Sequence, residues 1–173
     1  IMSGFVSAVR NATLVINDCI YKGKFTPANN GNHEGMVAFV ATMQGDINYT
    51  LNNCLYLGTN NATAGSNTFT YNATVNNCYY LNPCGEAQGE QVREEQLKNG
   101  YVAHRLQSTR SEQFWGQELG KDNEPMLTNK IEKRVYRVEF AYNGKVKATR
   151  YVNRGGTVAS LPTVEEILGT EYN

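Results

Sequence analysis

The octapeptides LVINDCIY (residues 14–21), YTLNNCLY (49–56) and ATVNNCYY (73–80) share one frame. Each places an aliphatic residue (Ile16, Leu51, Val75), then Asn (Asn17, Asn52, Asn76), then Asp or Asn (Asp18, Asn53, Asn77). Cys19, Cys54 or Cys78 follows, then a variable residue and Tyr, with the cysteines 35 and 24 residues apart. A shorter element, GFVSA at 4–8, matches AFVAT at 38–42, ahead of the first two copies. Repetition at unequal spacing is what stacked coils of short strands produce, because insertions lengthen the turns and leave the strands alone. Alternate strand residues share a face, so Ile16, Leu51 and Val75 are expected to stack in the core, with the three cysteines as a second inward column. Asn suits the bends: its amide bonds free backbone groups, tolerates left-handed backbone and can bond along the stack.

The 173 residues carry 16 basic and 16 acidic side chains and 40% hydrophobic residues, enough apolar material for a core. Balanced charge without a basic cluster argues against a general nucleic-acid or anionic-membrane binder. No window reaches the roughly 18 apolar residues of a bilayer span, so no membrane insertion is expected. Residues 1–85 contain six charges (Arg10, Asp18, Lys22, Lys24, Glu34, Asp46), and residues 86–173 contain the other 26. The first part reads as strands and turns. Ile1 opens directly into a strand-like segment, so the chain is expected to begin inside a longer protein, with any signal sequence upstream.

A GFV-like strand, a polar turn and an NCxY element followed by Gly (CIYKG at 19–23, CLYLG at 54–58) resemble the GLUG-type repeats of bacterial surface proteins. That resemblance implies a right-handed, pectate-lyase-like parallel β-helix over residues 1–85. The third copy departs from the pattern: Leu81, Asn82 and Pro83 stand where Gly should follow, which marks it as the last coil, since Pro cannot donate to a ladder.

Residues 86–130 read as a cap. Arg93–Lys98 has a short helical pattern stopped by Asn99-Gly100, and Tyr101–Gln107 continues with a further turn or two. Val92, Leu97, Val102 and Leu106 form the expected buried stripe. The sequence FWGQELGKDNEPML (114–127) adds Phe114 and Trp115 to that core. EQLxxG ahead of WGQxLGxDxxPxL is similar to a segment that follows such repeats in surface proteins of gut bacteria. A cap is physically apt, since an open coil end exposes strand edges. Residues 131–173 read as a small β module: Tyr136, Val138, Phe140 and Tyr142 alternate, Asn143-Gly144 supplies a two-residue turn, and Lys145–Val152 returns. Val164–Leu168 reads either as a short helix or as a frayed end. The module is similar to the start of the β repeats of Listeria and Bacteroides surface proteins.

Candidate chemistry is sparse. Zinc would require thiolates that converge on a point, commonly as pairs two to four residues apart, so a stack of buried thiols is the preferred reading of the cysteines. Cys84 leaves open a local disulfide with Cys78. His33 and His104 belong to no metal motif. Asn11, Asn48, Asn61 and Asn72 open N-x-Ser/Thr sequons, which Asn/Thr-rich composition also produces. Polysaccharide lyases and hydrolases need clustered acids on neighbouring coils, and here Asp18 is followed in frame by Asn53 and Asn77. No catalytic residue, metal or cofactor is therefore assigned. The expected function is a non-catalytic, extracellular stalk or adhesive segment of a modular surface protein. Host or microbial glycans or surface proteins are its expected partners, and its oligomeric state is left open. Tyr21, Tyr56 and Tyr80 read either as ladder residues, the preferred reading, or as sugar-stacking rings. The alternative function is the C-terminal part of a carbohydrate-active β-helix enzyme whose catalytic coils lie upstream.

Overall fold

The structure, a computed structural model, describes residues 2–6, 9–26, 36–41, 43–44, 48–60, 67–70, 73–83 and 85–170. They form a mostly β protein with two compact units, Ile1–Glu94 and Glu95–Asn173. His33, Glu34, Asp46, Asn61, Asn72 and Cys84 lie outside the described residues.

The first unit is built from short strands in repeating order. Strands β1 (Met2–Ser3), β2 (Val9–Arg10), β3 (Thr13–Asn17), β4 (Ile20–Tyr21) and β5 (Lys24–Phe25) make a first tier. Strands β6 (Met36–Val37), β7 (Met43–Gln44), β8 (Asn48–Asn52), β9 (Leu55–Tyr56) and β10 (Thr59–Asn60) make a second, each parallel to its counterpart in the first. Strands β11 (Thr74–Asn76) and β12 (Tyr79–Tyr80) extend the β3–β8 and β4–β9 pairs, and β13 (Glu90–Gln91) continues beside β12. The register pairs Ile16 with Leu51 and Leu51 with Val75, and Asn17 with Asn52 and Asn52 with Asn76.

Backbone geometry explains the repeated residue types. Asp18, Asn53 and Asn77 have φ of 52°, 55° and 49°, a left-handed bend that Asn and Asp tolerate better than other side chains with a Cβ. Two residues after the tier tyrosine, the ring folds back over a glycine. A Cβ on Gly23 would collide with the Tyr21 ring, and one on Gly58 with the Gly23 carbonyl. In the third tier Asn82 occupies the matching position, and its Nδ2 donates to Gly58 O at 3.0 Å.

The GFV-like element has a third copy that apolar patterning conceals. Phe39 N–H donates to Phe69 O at 2.8 Å, as Phe5 N–H does to Phe39 O at 3.3 Å, so Thr68-Phe69-Thr70 is the counterpart of Ala38-Phe39-Val40. Thr68 and Thr70 are fully buried, and their hydroxyls donate to Glu86 O and Val40 O at 3.1 and 3.0 Å. Phe5, Phe39 and Phe69 form a continuous ring stack with centroid spacings of 4.9 and 5.4 Å.

In the second unit, helices α1 (Glu94–Lys98) and α2 (Tyr101–Gln107) are followed by the antiparallel pair β14 (Trp115–Gly116) and β15 (Met126–Leu127). Strands β16 (Val135–Tyr142) and β17 (Lys145–Asn153) form an antiparallel hairpin. Asn143 (φ 48°) and Gly144 (φ 74°) make its tight turn, as Asn-Gly chemistry dictates. The final segment settles as a helix, α3 (Val164–Leu168), which packs against β16 and β17. Thr163 and Glu166 cap it reciprocally: Glu166 N–H donates to Thr163 Oγ1 and Thr163 N–H to Glu166 Oε2. No helix among the described residues is long and apolar enough to cross a membrane.

Candidate functional site

The repeated stretch gathers three kinds of side chain into columns. Ile16 and Leu51 are buried and Val75 half-buried. Asn52 Nδ2 donates to Asn17 Oδ1 at 2.8 Å and Asn76 Nδ2 to Asn52 Oδ1 at 2.9 Å, with a parallel bond from Asn77 Nδ2 to Asn53 Oδ1 at 2.7 Å. Each amide thus binds its counterpart one tier earlier, with the donor always on the later tier. Cys19, Cys54 and Cys78 are free thiols that donate to the carbonyl two residues back, of Asn17, Asn52 and Asn76, at 3.2–3.4 Å. Cys54 N–H also donates to Cys78 Sγ at 3.4 Å. The Cys54 thiol is held far above its ordinary pKa by its hydrogen bond with Cys78 and by burial. Burial, with Cys54 and Asp18 nearby, raises Cys19 as well. Cys78 shifts the other way: its hydrogen bond with the Cys54 side chain lowers its pKa and outweighs burial, so the thiol form is favoured at Cys19 and Cys54 but not at Cys78.

Tyr56 and Tyr80 are 1% and 4% exposed, so they belong to the core and present no ring to a sugar; Tyr21 is half-buried. Asp18 shares its bend position with Asn53 and Asn77, and no group of three or more His, Cys, Asp and Glu side chains suited to a metal occurs among the described residues. Asn11 and Asn48, in two of the sequons, are exposed.

In the second unit Trp115, Leu97 and Leu106 are buried, and Phe114 is half-buried beneath the Arg110 guanidinium, 4.7 Å from its ring centre. Three amide side chains that sequence pattern does not reveal hold this core. Gln107 Oε1 accepts from Phe114 and Trp115 N–H at 2.9 Å, and its Nε2 donates to the Arg110 and Glu112 carbonyls. Gln117 Nε2 reaches the carbonyls of Leu97, Lys98 and Asp122. Asn153 accepts from Leu119 N–H and donates to Gln117 O. Asp122 Oδ2 accepts from Glu118 N–H at 2.6 Å and from Lys133 Nζ at 2.9 Å. These bonds give Trp115, Gln117 and Asp122 of the WGQxLGxDxxPxL stretch structural roles.

A cavity of about 510 Å³ opens in this unit, lined by Glu95, Lys98, Thr149, Arg150, Tyr151 and Glu166 among others. Arg150 grips both Glu166 oxygens at 2.8 and 2.9 Å and donates to Ser160 O at 3.1 Å. Its charge is thereby committed to holding α3 and the preceding loop. Polar and apolar groups share the cavity wall, and the Arg150–Glu166 pair in it is a structural clasp. Comparison of the chain with protein-family models, with curated proteins and with solved structures finds no match.

Proposed function

We propose that residues 1–94 form a short right-handed parallel β-helix and that the chain is a non-catalytic, extracellular segment of a modular bacterial surface protein. In this reading the tiers act as a stalk that carries adhesive or glycan-binding surface. The supporting observation is the register that stacks Asn on Asn and aliphatic on aliphatic through three tiers. Side chains at these positions are consumed in bonds between tiers, which suits a scaffold and leaves little for turnover. A carboxylate ladder would be needed to hold a cation or protonate a leaving group, and the matching column reads Asp18, Asn53, Asn77.

The test pairs a glycan array with a polysaccharide-digestion screen on the full chain. Binding without product is the expected result. New reducing ends or unsaturated products would overturn the scaffold reading and favour the tail of a carbohydrate-active enzyme.

A further inference from the structure

Two of the three column thiols meet each other as well as the backbone. Asn52 pairs with Asn76 and Leu55 with Tyr79, and Tyr79 N–H donates to Cys54 O at 2.9 Å, so Cys54 and Cys78 stand in register on neighbouring tiers. Neighbouring parallel strands lie about 4.8 Å apart, within the roughly 4.4–6.8 Å of Cα separation that a disulfide spans. Cys78 Sγ turns towards the second tier: it accepts from Cys54 N–H at 3.4 Å and lies 3.6 Å from Leu51 O. The two side chains also hydrogen-bond to each other. Cys19 shares the frame, since Asn17 pairs with Asn52 and Ile20 with Leu55, but its thiol donates to its own Asn17 carbonyl at 3.3 Å. Cys54 reaches Cys19 through that residue's backbone N–H, whereas it reaches Cys78 thiol to thiol.

Loss of the two thiol hydrogens leaves no backbone group unmatched. Asn52 O accepts from the Cys54 thiol and also from Asp18 N–H at 2.9 Å, and Asn76 O accepts from the Cys78 thiol and also from Asn53 N–H at 3.0 Å. Oxidation of the pair therefore removes donors on which no acceptor depends. The two sulfurs are also unequal. Their shared hydrogen bond holds Cys78 below its ordinary pKa, which favours the nucleophilic thiolate, and keeps Cys54 protonated. Cys78 follows β11, an edge strand of its sheet whose Thr74 and Asn76 are exposed, and local opening is easiest at such an edge.

We propose that Cys54 and Cys78 form an oxidation site for hydrogen peroxide, which converts them into a disulfide between the second and third tiers and leaves Cys19 a thiol. The Cys78 thiolate attacks one peroxide oxygen and the O–O bond breaks, so that Cys78 becomes a sulfenic acid. The other oxygen leaves as hydroxide and takes up the proton that Cys78 had given up. The Cys54 sulfur then attacks the Cys78 sulfur, the S–O bond breaks, and the hydroxyl departs with the Cys54 proton as water. Two thiols are oxidised by two electrons in all, and one peroxide is reduced to two waters. The product closes a loop across the 24 residues that separate the cysteines and restricts the unfolded chain accordingly. The proposal concerns the chemistry of the tiers and does not depend on their being a surface scaffold.

The test treats the reduced, folded full chain with hydrogen peroxide, blocks remaining thiols with iodoacetamide in urea, and maps peptides without reductant. The expected result is a peptide pair joined through Cys54 and Cys78, lighter by two hydrogens and separated by dithiothreitol, with Cys19 alkylated. The oxidised chain is expected to unfold at a higher urea concentration than the reduced one, and dithiothreitol is expected to abolish the difference. C19S should form the same link as the parent. C54A should stop at a Cys78 sulfenic acid that dimedone traps. A link from Cys19 to Cys54, or from Cys78 to Cys84, as the main product would overturn the proposal. So would a parent chain whose Cys54 and Cys78 both remain alkylatable after peroxide, a reading of the native sequence that needs no variant to fold.

Discussion

Cys54 and Cys78 show how one residue type serves packing and bend closure at once. Each thiol fills a small core position, 0% and 2% exposed, and donates to the carbonyl two residues back. Thiols so enclosed are out of reach of an alkylating reagent while the fold is closed. Iodoacetamide labelling of the native chain, followed by peptide mapping, is expected to modify half-buried Cys19 well ahead of Cys54 and Cys78. Labelling of Cys54 as fast as Cys19 would contradict an interior column. Beside them, Leu51 is fully buried between Ile16 and Val75, so Leu51→Ala removes three carbons from a site with partners on both sides. A loss of about 2–5 kcal/mol is expected in urea unfolding. Val75→Ala, at a half-buried position, should lose less; a larger loss there would mean that the core lies on the other side of β11.

Between neighbouring strands, Gln88 performs a function normally left to backbone. Phe39 O accepts from Phe5 and Val6 N–H, and Phe69 O accepts from Phe39 and Val40 N–H. At the next level Gln88 Oε1 takes that place, accepting from Phe69 and Thr70 N–H at 2.9 Å, while its Nε2 donates to Thr70 O at 2.7 Å. The side-chain amide imitates a peptide group and closes the ladder edge, satisfying three backbone groups. Gln88→Ala is expected to destabilise by about 1–3 kcal/mol, and Gln88→Glu should recover only part of it, since a carboxylate accepts but cannot donate to Thr70 O. Equal urea midpoints for parent and Q88A would show that solvent replaces the amide without loss. Gln88 also marks the limit of what local pattern conveys. The hairpin was legible because Asn143-Gly144 dictates its own turn, and the tiers were legible because Asn-Cys pairs repeat in frame. Thr68 and Thr70 were illegible because Thr fits a Val site yet reads as polar. Gln88, Gln107 and Gln117 carried no signal at all, since an amide used over distances of three to twenty residues leaves no periodicity.

Across the whole chain, charge density and strand pairing follow different rules, so they change at different places. Acidic residues become frequent from Glu86, yet Glu86 pairs with Asn67 and Glu90 with Tyr79, because an exposed final strand can carry charge on its free side. The same asymmetry governs the response to acid. Among the described residues, the carboxylates and histidines displaced from their ordinary pKa are His104, Asp122 and Glu166, all in residues 95–173. For Asp122, burial acts upward but is outweighed by the Glu118 N–H and Lys133, so its folded pKa lies below the ordinary value. Glu166 is lowered by the Thr163 N–H and Arg150. Both carboxylates therefore contribute stability that is complete above their unfolded pKa, about 4, and is lost as pH falls through the lower folded value. His104, also lowered, is protonated more readily in the unfolded chain, so its share begins to fall earlier, near pH 6.5. All three effects have the same sign, and the C-terminal unit should weaken on acidification in two stages. Trp115, the single tryptophan, is buried in that unit and reports it directly. In chloride buffer its urea midpoint is expected to fall between pH 7 and 5 and again towards pH 3. H104Q should remove the first stage, and D122N should lessen the second at the expense of stability at neutral pH. Amide exchange at Leu51 and Leu55 follows the tiers in the same samples, and stronger acid sensitivity there than at Trp115 would place the governing charges in the wrong unit.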